Sequence, residues 1–189
     1  KFIILLLYVD DMLIVGQDST MINRLKLELS KSYAMKDLGP AKQILGMKIV
    51  RDRKEGLIWL SQESYIEKVL ERFNMDKAQP VGCPHAGHFK LRSNHCPTSE
   101  KDKEDMLKVP YASAVGSLMY AMVCTRPDIA HAGGVASRFL SNPGKEHWAA
   151  VKWILRYLRG TSKVCLCFVD GRPMLDGFTD SDMAGDVDS

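Results

Sequence analysis

Cysteine is scarce in this sequence of 189 residues, which has five cysteines, an odd number, and no Cys-x-x-Cys pair. A secreted disulfide scaffold normally has an even number of regularly spaced cysteines, and zinc fingers and ribbons have paired ones. We therefore expect an intracellular, reducing location, the cytoplasm, and not secretion. One Cys- and His-containing stretch, residues 83–96, fits no standard finger spacing, and a zinc-stabilised interaction module stays open as an alternative.

Long hydrophobic runs are also lacking. The apolar opening, residues 2–9, is interrupted by Asp10-Asp11 and is far shorter than the roughly 20 residues that span a bilayer. No small-residue cleavage site follows it, so we predict neither a targeting segment nor a membrane partner. Because the chain begins with Lys1 in the middle of a strand pattern, we expect that it was excised from a longer protein.

A strong net charge is missing too, since the formal value is only +3. That value alone does not predict a nucleic-acid partner. The distribution is uneven, however, because residues 161–189 contain two basic and six acidic side chains and the rest of the chain is basic.

Hydrophobic residues make up 46% of the chain and charged residues 26%, which is typical of a globular protein of one domain or two small lobes. Period-two and helical patterns alternate along the chain and predict an α+β fold. The predicted hairpins cover residues 1–16 and 45–60, and the predicted helices cover 20–35, 61–73, 112–123, 127–140 and 146–158. Residues 76–109 lack periodicity and predict a linker, and the tail predicts strands at 164–169 and 174–179.

Asp10 and Asp11 separate two continuous apolar runs of strand length. Such runs predict a hairpin buried on both faces with the acids near its tip. A buried, unpaired carboxylate is costly, and a divalent cation such as Mg²⁺ would relieve that cost. A solvated turn that merely contains two aspartates is the alternative.

Several segments, in order, resemble the Pol polyprotein of copia-type long-terminal-repeat retrotransposons. Tyr8-Val9-Asp10-Asp11 resembles the catalytic hairpin of reverse transcriptases. The further matching segments are Lys36–Pro40 with Ile44–Gly46, Val109–Tyr120, Thr125–Ile129, Ser137–Pro143 and His147–Thr161. The resemblance covers nearly the whole chain.

The resemblance implies an α+β architecture in four parts. Residues 1–60 would be the C-terminal part of a reverse transcriptase palm, and 61–85 the start of the thumb. Residues 86–160 would form a linker and a helical thumb or connection. Residues 161–189 would begin a truncated ribonuclease H domain.

It also implies a function, an RNA-directed DNA polymerase with ribonuclease H that uses two Mg²⁺ ions. Asp10 and Asp11 would hold metal, and Tyr8 and Val9 would lie near the primer terminus. The partners would be an RNA template, a DNA primer, an RNA-DNA hybrid and a deoxynucleoside triphosphate. The family's other polymerase aspartate lies upstream of Lys1, so the isolated chain is expected to be inactive, and the parent protein is expected in cytoplasmic particles.

The acidic tail would supply a second metal ligand. Phe178–Asp182 is similar to the first ribonuclease H strand of the family, in which Asp180 would be the first catalytic and metal-binding carboxylate. Met183 stands where copia-type sequences usually have Trp. The remaining ribonuclease H carboxylates would lie beyond Ser189.

A basic stripe is the last candidate. Four basic side chains share one face of the predicted helix at 146–158 and its flanks, and would contact phosphates without reading sequence. They are Lys145, Lys152, Arg156 and Arg159. The rival to an enzyme is therefore a non-enzymatic nucleic-acid-binding remnant that keeps this stripe.

Overall fold

The structure is a computed structural model that describes residues 2–169 and Gly171. The predicted strand at 174–179 and the predicted metal ligand Asp180 lie outside these residues. The chain divides into two compact units, Lys1–Leu45 and Gly46–Ser189. Both contain helices and strands, so the fold is mixed α+β, as predicted at that level.

The first unit begins with an antiparallel hairpin of strands β1 (Ile3–Tyr8) and β2 (Asp11–Gly16). Helix α1 (Ser19–Ser32) follows, and strand β3 (Gln43–Ile44) ends the unit. Asp18 caps α1 because its carboxylate accepts hydrogen bonds from the backbone N–H of Thr20 at 2.9 Å and of Met21 at 3.4 Å. The helix lies where it was predicted, but α1 ends three residues before the predicted end.

The first unit has no buried core among its described residues. No residue from 2 to 45 is fully buried, and β1 and the turn after it are open to solvent, with Leu7 of β1 67% and Val9 of the turn 79% exposed. The prediction of a hairpin buried on both faces is therefore wrong. The physical reason is that β1 and β2 form a sheet of two strands in the described chain, and a two-stranded sheet cannot cover both of its own faces.

The second unit contains the predicted second hairpin and a cluster of helices. The hairpin is β4 (Met47–Asp52) and β5 (Leu57–Ser61), and β6 (Leu166–Val169) pairs antiparallel with β5. The helices are α2 (Glu63–Arg72), α3 (Glu100–Leu107), α4 (Tyr111–Cys124), α5 (Ala130–Ser137) and α6 (Lys145–Gly160).

The core of this unit lies between α2, α4, α5 and α6. Their apolar faces meet at side chains that are at most 2% exposed, including Ile66, Leu118, Ile154 and Leu155. Burial of one such side chain contributes about 1.5–3 kcal/mol, so this cluster provides most of the hydrophobic stabilisation of the described chain.

The helix α3 was not predicted, since residues 76–109 read as a linker. The acidic and basic residues of this stretch form a solvated helix that starts at Ser99, whose hydroxyl accepts from the Asp102 N–H at 3.1 Å. The negative charges of Glu100 and Asp102 in the first turn interact favourably with the helix dipole, and Met106 is buried. The predicted helix at 127–140 is also divided, into a 3₁₀ turn at Pro127–Ile129 and the shorter α5.

Within the described part of the chain, no one helix has the length and apolar character needed to cross a membrane. The pair α3 and α4 reaches that length only together, with a bend of 51° between them.

Candidate functional site

The tip of the first hairpin presents the predicted pair of aspartates. Tyr8 is the register partner of Asp11, so Val9 and Asp10 form the two-residue turn. Val9 has a φ of 50°, in the left-handed region that a β-branched residue rarely adopts. Strained backbone of this kind concentrates at functional sites, where it fixes the aim of neighbouring side chains.

Both carboxylates are open to solvent. Asp10 and Asp11 are exposed, as are Tyr8, at 60%, and Val9. Neither aspartate forms an ion pair with another described residue. The predicted burial of these two acids is therefore wrong. Because they already lie in water, a cation is not needed to relieve a cost of burial.

Two neighbouring carboxylates still fit a hard cation such as Mg²⁺, which commonly takes one or two carboxylates and completes its shell with water and phosphate oxygens. The described residues contain no group of three or more His, Cys, Asp or Glu placed to hold a metal. The pair is thus a partial ligand set.

The predicted basic stripe lies on α6, but three of its four members are already engaged. Lys145 forms an ion pair with Asp102 at 2.7 Å. The Nε atoms of Arg156 and Arg159 donate to the backbone carbonyls of Gln79 at 2.7 Å and Asp76 at 2.5 Å. Lys152 is exposed.

These contacts define a segment that we call the strap, residues 76–83, which lies along α6. A third hydrogen bond joins the Trp153 Nε1 to the Cys83 carbonyl at 3.0 Å, and the Arg156 guanidinium lies 5.0 Å from the Trp153 ring centroid. Close packing continues at the end of α6, where a Cβ on Gly160 would lie 3.0 Å from the Cβ of Pro80. The face that was predicted to contact phosphates therefore also binds the chain's own backbone.

Sequence reasoning missed the role of Arg126, whose side chain is fully buried. Its guanidinium donates to both carboxylate oxygens of Asp128, at 3.0 and 2.7 Å, and to the carbonyl and hydroxyl oxygens of Thr161, at 3.0 and 2.6 Å. The Tyr157 hydroxyl also donates to Asp128, at 2.8 Å. Burial raises the pKa of Asp128, but the hydrogen bonds from Arg126 and Tyr157 and the charge of Arg126 outweigh it, so the pKa lies below its usual value.

This cluster joins the turn after α4 to the end of α6. Residues of opposite charge on either side of Pro127 were the available signal, since proline is typical of turns. The hydrogen bond from Arg126 to the Thr161 carbonyl, 35 residues away, has no local signature in the sequence.

The Cys- and His-containing stretch forms other contacts. The Cys83 thiol donates to the His85 carbonyl, and the His88 ring packs edge-on against Trp153. His147 stacks on Phe139 at 3.9 Å, and its Nδ1 accepts from the Gly144 N–H. No disulfide joins the five cysteines, all of which lie among the described residues.

Comparison with known proteins gives the family. Residues 1–86 match the family described as reverse transcriptase (RNA-dependent DNA polymerase). No solved structure matches the chain.

Three curated relatives illustrate the range of similarity. The whole chain is 71% identical to part of the retrovirus-related Pol polyprotein from transposon TNT 1-94 of Nicotiana tabacum, and 38% identical to part of that from transposon RE1 of Arabidopsis thaliana. It spans only 14% and 12% of those two polyproteins. An uncharacterized mitochondrial protein of Arabidopsis thaliana is 35% identical over 182 residues, which are 96% of this chain and 72% of that protein.

The resemblance found in the ordered segments is thus confirmed over the full length of the chain. The chain belongs to the copia-type retrotransposon Pol family, and its first 86 residues are of the reverse transcriptase type.

Proposed function

We propose that this chain contributes to an RNA-directed DNA polymerase with ribonuclease H, spanning the end of the palm, the thumb and the start of ribonuclease H. The observation that carries the proposal is the pair of adjacent, solvent-open carboxylates at the tip of an antiparallel hairpin, in the region that matches reverse transcriptase. The proposed divisions are residues 1–60, 61–85, 86–160 and 161–189.

In this proposal Asp10 and Asp11 hold Mg²⁺ together with carboxylates outside this chain. The metal would lower the barrier to nucleotidyl transfer by neutralising charge on the phosphates and on the attacking oxygen. The chain's own contribution is placement, because the strained turn at Val9 fixes where the two carboxylates lie. Tyr8 and Val9, both exposed, are available to contact the primer terminus.

The proposed partners are an RNA template, a DNA primer, their hybrid and a deoxynucleoside triphosphate. Asp180 would be the first metal ligand of ribonuclease H. We propose an intracellular, cytoplasmic location.

The polymerase role can be tested in a chimera in which this chain replaces the corresponding segment of the TNT 1-94 polyprotein, which is 71% identical. Asp10→Asn and Asp11→Asn should each lower primer extension by more than about a hundredfold, since even residues that only support metal ligands cost 10–100-fold. Glu104→Gln makes the same charge change on exposed α3 and should leave extension unchanged. Full activity of both aspartate variants would refute the proposal.

The isolated chain should show neither primer extension nor cleavage of an RNA-DNA hybrid, because the proposal assigns the other carboxylates to segments outside it. Clear activity that Asp10→Asn abolishes would show that this chain contains a complete site.

The alternative, a binding remnant without metal chemistry, requires a basic face that is free for phosphates. The strap contacts of Arg156 and Arg159 and the Asp102 ion pair of Lys145 argue against that face as the binding surface. A chimera that does not extend primers, together with nucleic-acid binding that weakens steeply with salt and is unaffected by Asp10→Asn or Asp11→Asn, would favour the remnant.

A further inference from the structure

A second surface of the second unit has features of a polynucleotide site. Residues 77–99 contain Lys77, Lys90 and Arg92, three histidines and no carboxylate. Residues 84–98 of this segment lie beyond the strap, and we call them the basic loop.

Two hydrogen bonds hold the basic loop against α6. The Trp153 Nε1 donates to the carbonyl of Cys83, the last residue of the strap, immediately before the loop begins. Near its end the His147 Nε2 lies 3.2 Å from the Arg92 carbonyl, and it donates there because the Nδ1 of the same ring accepts from the Gly144 N–H.

Aromatic packing fixes the loop between these points. The rings of His88 and Phe89 lie 5.3 and 5.8 Å from the ring of Trp153, in edge-to-face geometry. These contacts restrict the loop, which reduces the ordering entropy that binding to it would cost.

An open cleft of about 540 Å³ lies between the anchored loop and the first turn of α6. Its walls include His88, Phe89, Lys90, Arg92, Asn94 and Glu146. His95 also lines the cleft, and its Nδ1 is buried without a hydrogen-bond partner among the described residues. A buried polar atom in this state costs free energy until a ligand or water pairs with it.

The chemistry of these walls suits a polyanion that carries aromatic rings. Lys90 and Arg92 can neutralise phosphates, and Phe89 with the exposed His88 offers rings on which a base can stack. Asn94 and Glu146 supply groups that can hydrogen-bond the edge of a base. Stacking on a base face and hydrogen bonds to the Watson–Crick edge need an unpaired base, which the interior of a duplex does not offer.

We infer that this cleft binds a single-stranded segment of RNA or DNA. The inference rests on the proposed polynucleotide partner but not on the polymerase chemistry, because it uses neither Asp10 nor Asp11. Primer extension by the chimera and binding at the cleft can therefore fail independently.

Fluorescence anisotropy of the 189-residue chain with a labelled single-stranded oligonucleotide tests the inference. The probes are RNA and DNA strands of one sequence and the corresponding DNA duplex. We expect either single strand, or both, to bind at least about tenfold more tightly than the duplex, because only an unpaired base can stack.

The charge arm uses Lys90→Gln/Arg92→Gln. This double variant should weaken single-strand binding about tenfold or more and reduce the slope of log affinity against log salt by about 1.4. The matched control, Lys101→Gln/Lys103→Gln, removes the same charge from α3 and should change affinity less than about twofold. Equal losses in both double variants would overturn the inference, since they would indicate general electrostatic attraction.

The stacking arm uses Phe89→Leu, which keeps apolar volume, and His88→Ala, which alters an exposed side chain and leaves the core intact. We expect each to weaken single-strand binding about fivefold or more without changing the salt slope. Unchanged affinity in both variants, or duplex binding as tight as single-strand binding, would overturn the inference.

Discussion

At the scale of single residues, the most consequential side chain is the buried Arg126. A buried charge is stable only when its hydrogen-bonding groups are satisfied, and here Asp128 and Thr161 satisfy them. The partner carboxylate is 34% exposed, so the pair lies at the edge of the protein interior. Arg126 therefore acts as a structural tie between the α4 turn and α6.

Substitution Arg126→Met tests this tie. It keeps much of the side-chain volume but removes the donor of the Thr161 carbonyl and leaves Asp128 without its charged partner, with the Tyr157 hydroxyl still donating to it. The free energy of unfolding should therefore fall by about 3 kcal/mol. Urea denaturation followed by tryptophan fluorescence measures the change. Arg53→Met, at an exposed turn, should change stability by less than about 0.5 kcal/mol. Equal effects of the two substitutions would show that the cluster contributes no stability.

The lowered pKa of Asp128 predicts a pH dependence. Burial alone would raise this pKa, but the Arg126 and Tyr157 hydrogen bonds and the Arg126 charge lower it overall. Because the folded-state pKa is below the unfolded one, the carboxylate stabilises the fold above about pH 4, and this contribution is lost as the pH falls through the folded-state pKa.

The stability difference between the wild-type chain and Asp128→Asn should therefore be largest near about pH 7 and shrink toward about pH 3. Urea midpoints at both pH values measure it, with Glu104→Gln as the control. A difference that is the same at both pH values would contradict the assigned role of Asp128.

At the scale of secondary-structure elements, α6 both packs into the core and binds the strap. One face carries the buried side chains Val151, Ile154, Leu155 and Leu158. The other holds the strap through Trp153, Arg156 and Arg159. The sequence predicted the helix and the shared basic face because both follow from the 3.6-residue period. It did not predict the strap, since backbone acceptors leave no mark in the sequence.

We expect Arg156 and Arg159 to hold the strap in place, and their removal should release it. Arg156→Ala/Arg159→Ala removes two of its hydrogen bonds, so amide hydrogens of residues 76–83 should exchange about ten times faster or more. Hydrogen-exchange mass spectrometry measures the rates. Lys152→Ala removes a charge from the same face without touching the strap and should leave the rates unchanged. Equal rates in all three chains would mean that the two arginines do not hold this segment.

The hairpins show a similar contrast between local and distant information. Two continuous apolar runs predicted the first hairpin, alternation and turn residues predicted the second, and β4 and β5 lie at the predicted places. The burial of β1 and β2 was not predictable, because an apolar strand does not reveal which surface covers it. The helix α3 was not predicted because a charged segment with one buried side chain, Met106, has almost no apolar periodicity.

At the scale of the whole molecule, the two units differ in how much apolar surface they bury. The second has a core of fully buried side chains, whereas residues 2–45 have none. Large exposed apolar surfaces in proteins usually mark contact surfaces, and the exposed side chains of β1 form such a surface. The reverse transcriptase family could be identified because ordered motifs survive along the sequence, even though the burial of the hairpin could not.

The difference predicts unequal local stability. Amides of residues 2–45 should exchange at least about a hundredfold faster than those of α4 and α6, since local opening is cheapest where few apolar contacts are lost. Hydrogen exchange of the wild-type chain near neutral pH measures both regions in one experiment. Comparable protection in the two regions would show that the first unit is stabilised by contacts other than a core of its own.

The side-chain donors of α6 bind the strap at its carbonyl oxygens, those of Asp76, Gln79 and Cys83. Every amino acid has that oxygen, so these three positions can mutate without loss of the attachment as long as the main chain keeps its path. The donors have no such freedom, because Trp153, Arg156 and Arg159 each supply a side-chain N–H. In a lineage without selection on the strap, we therefore expect substitutions of these α6 donors to be the first to remove the attachment.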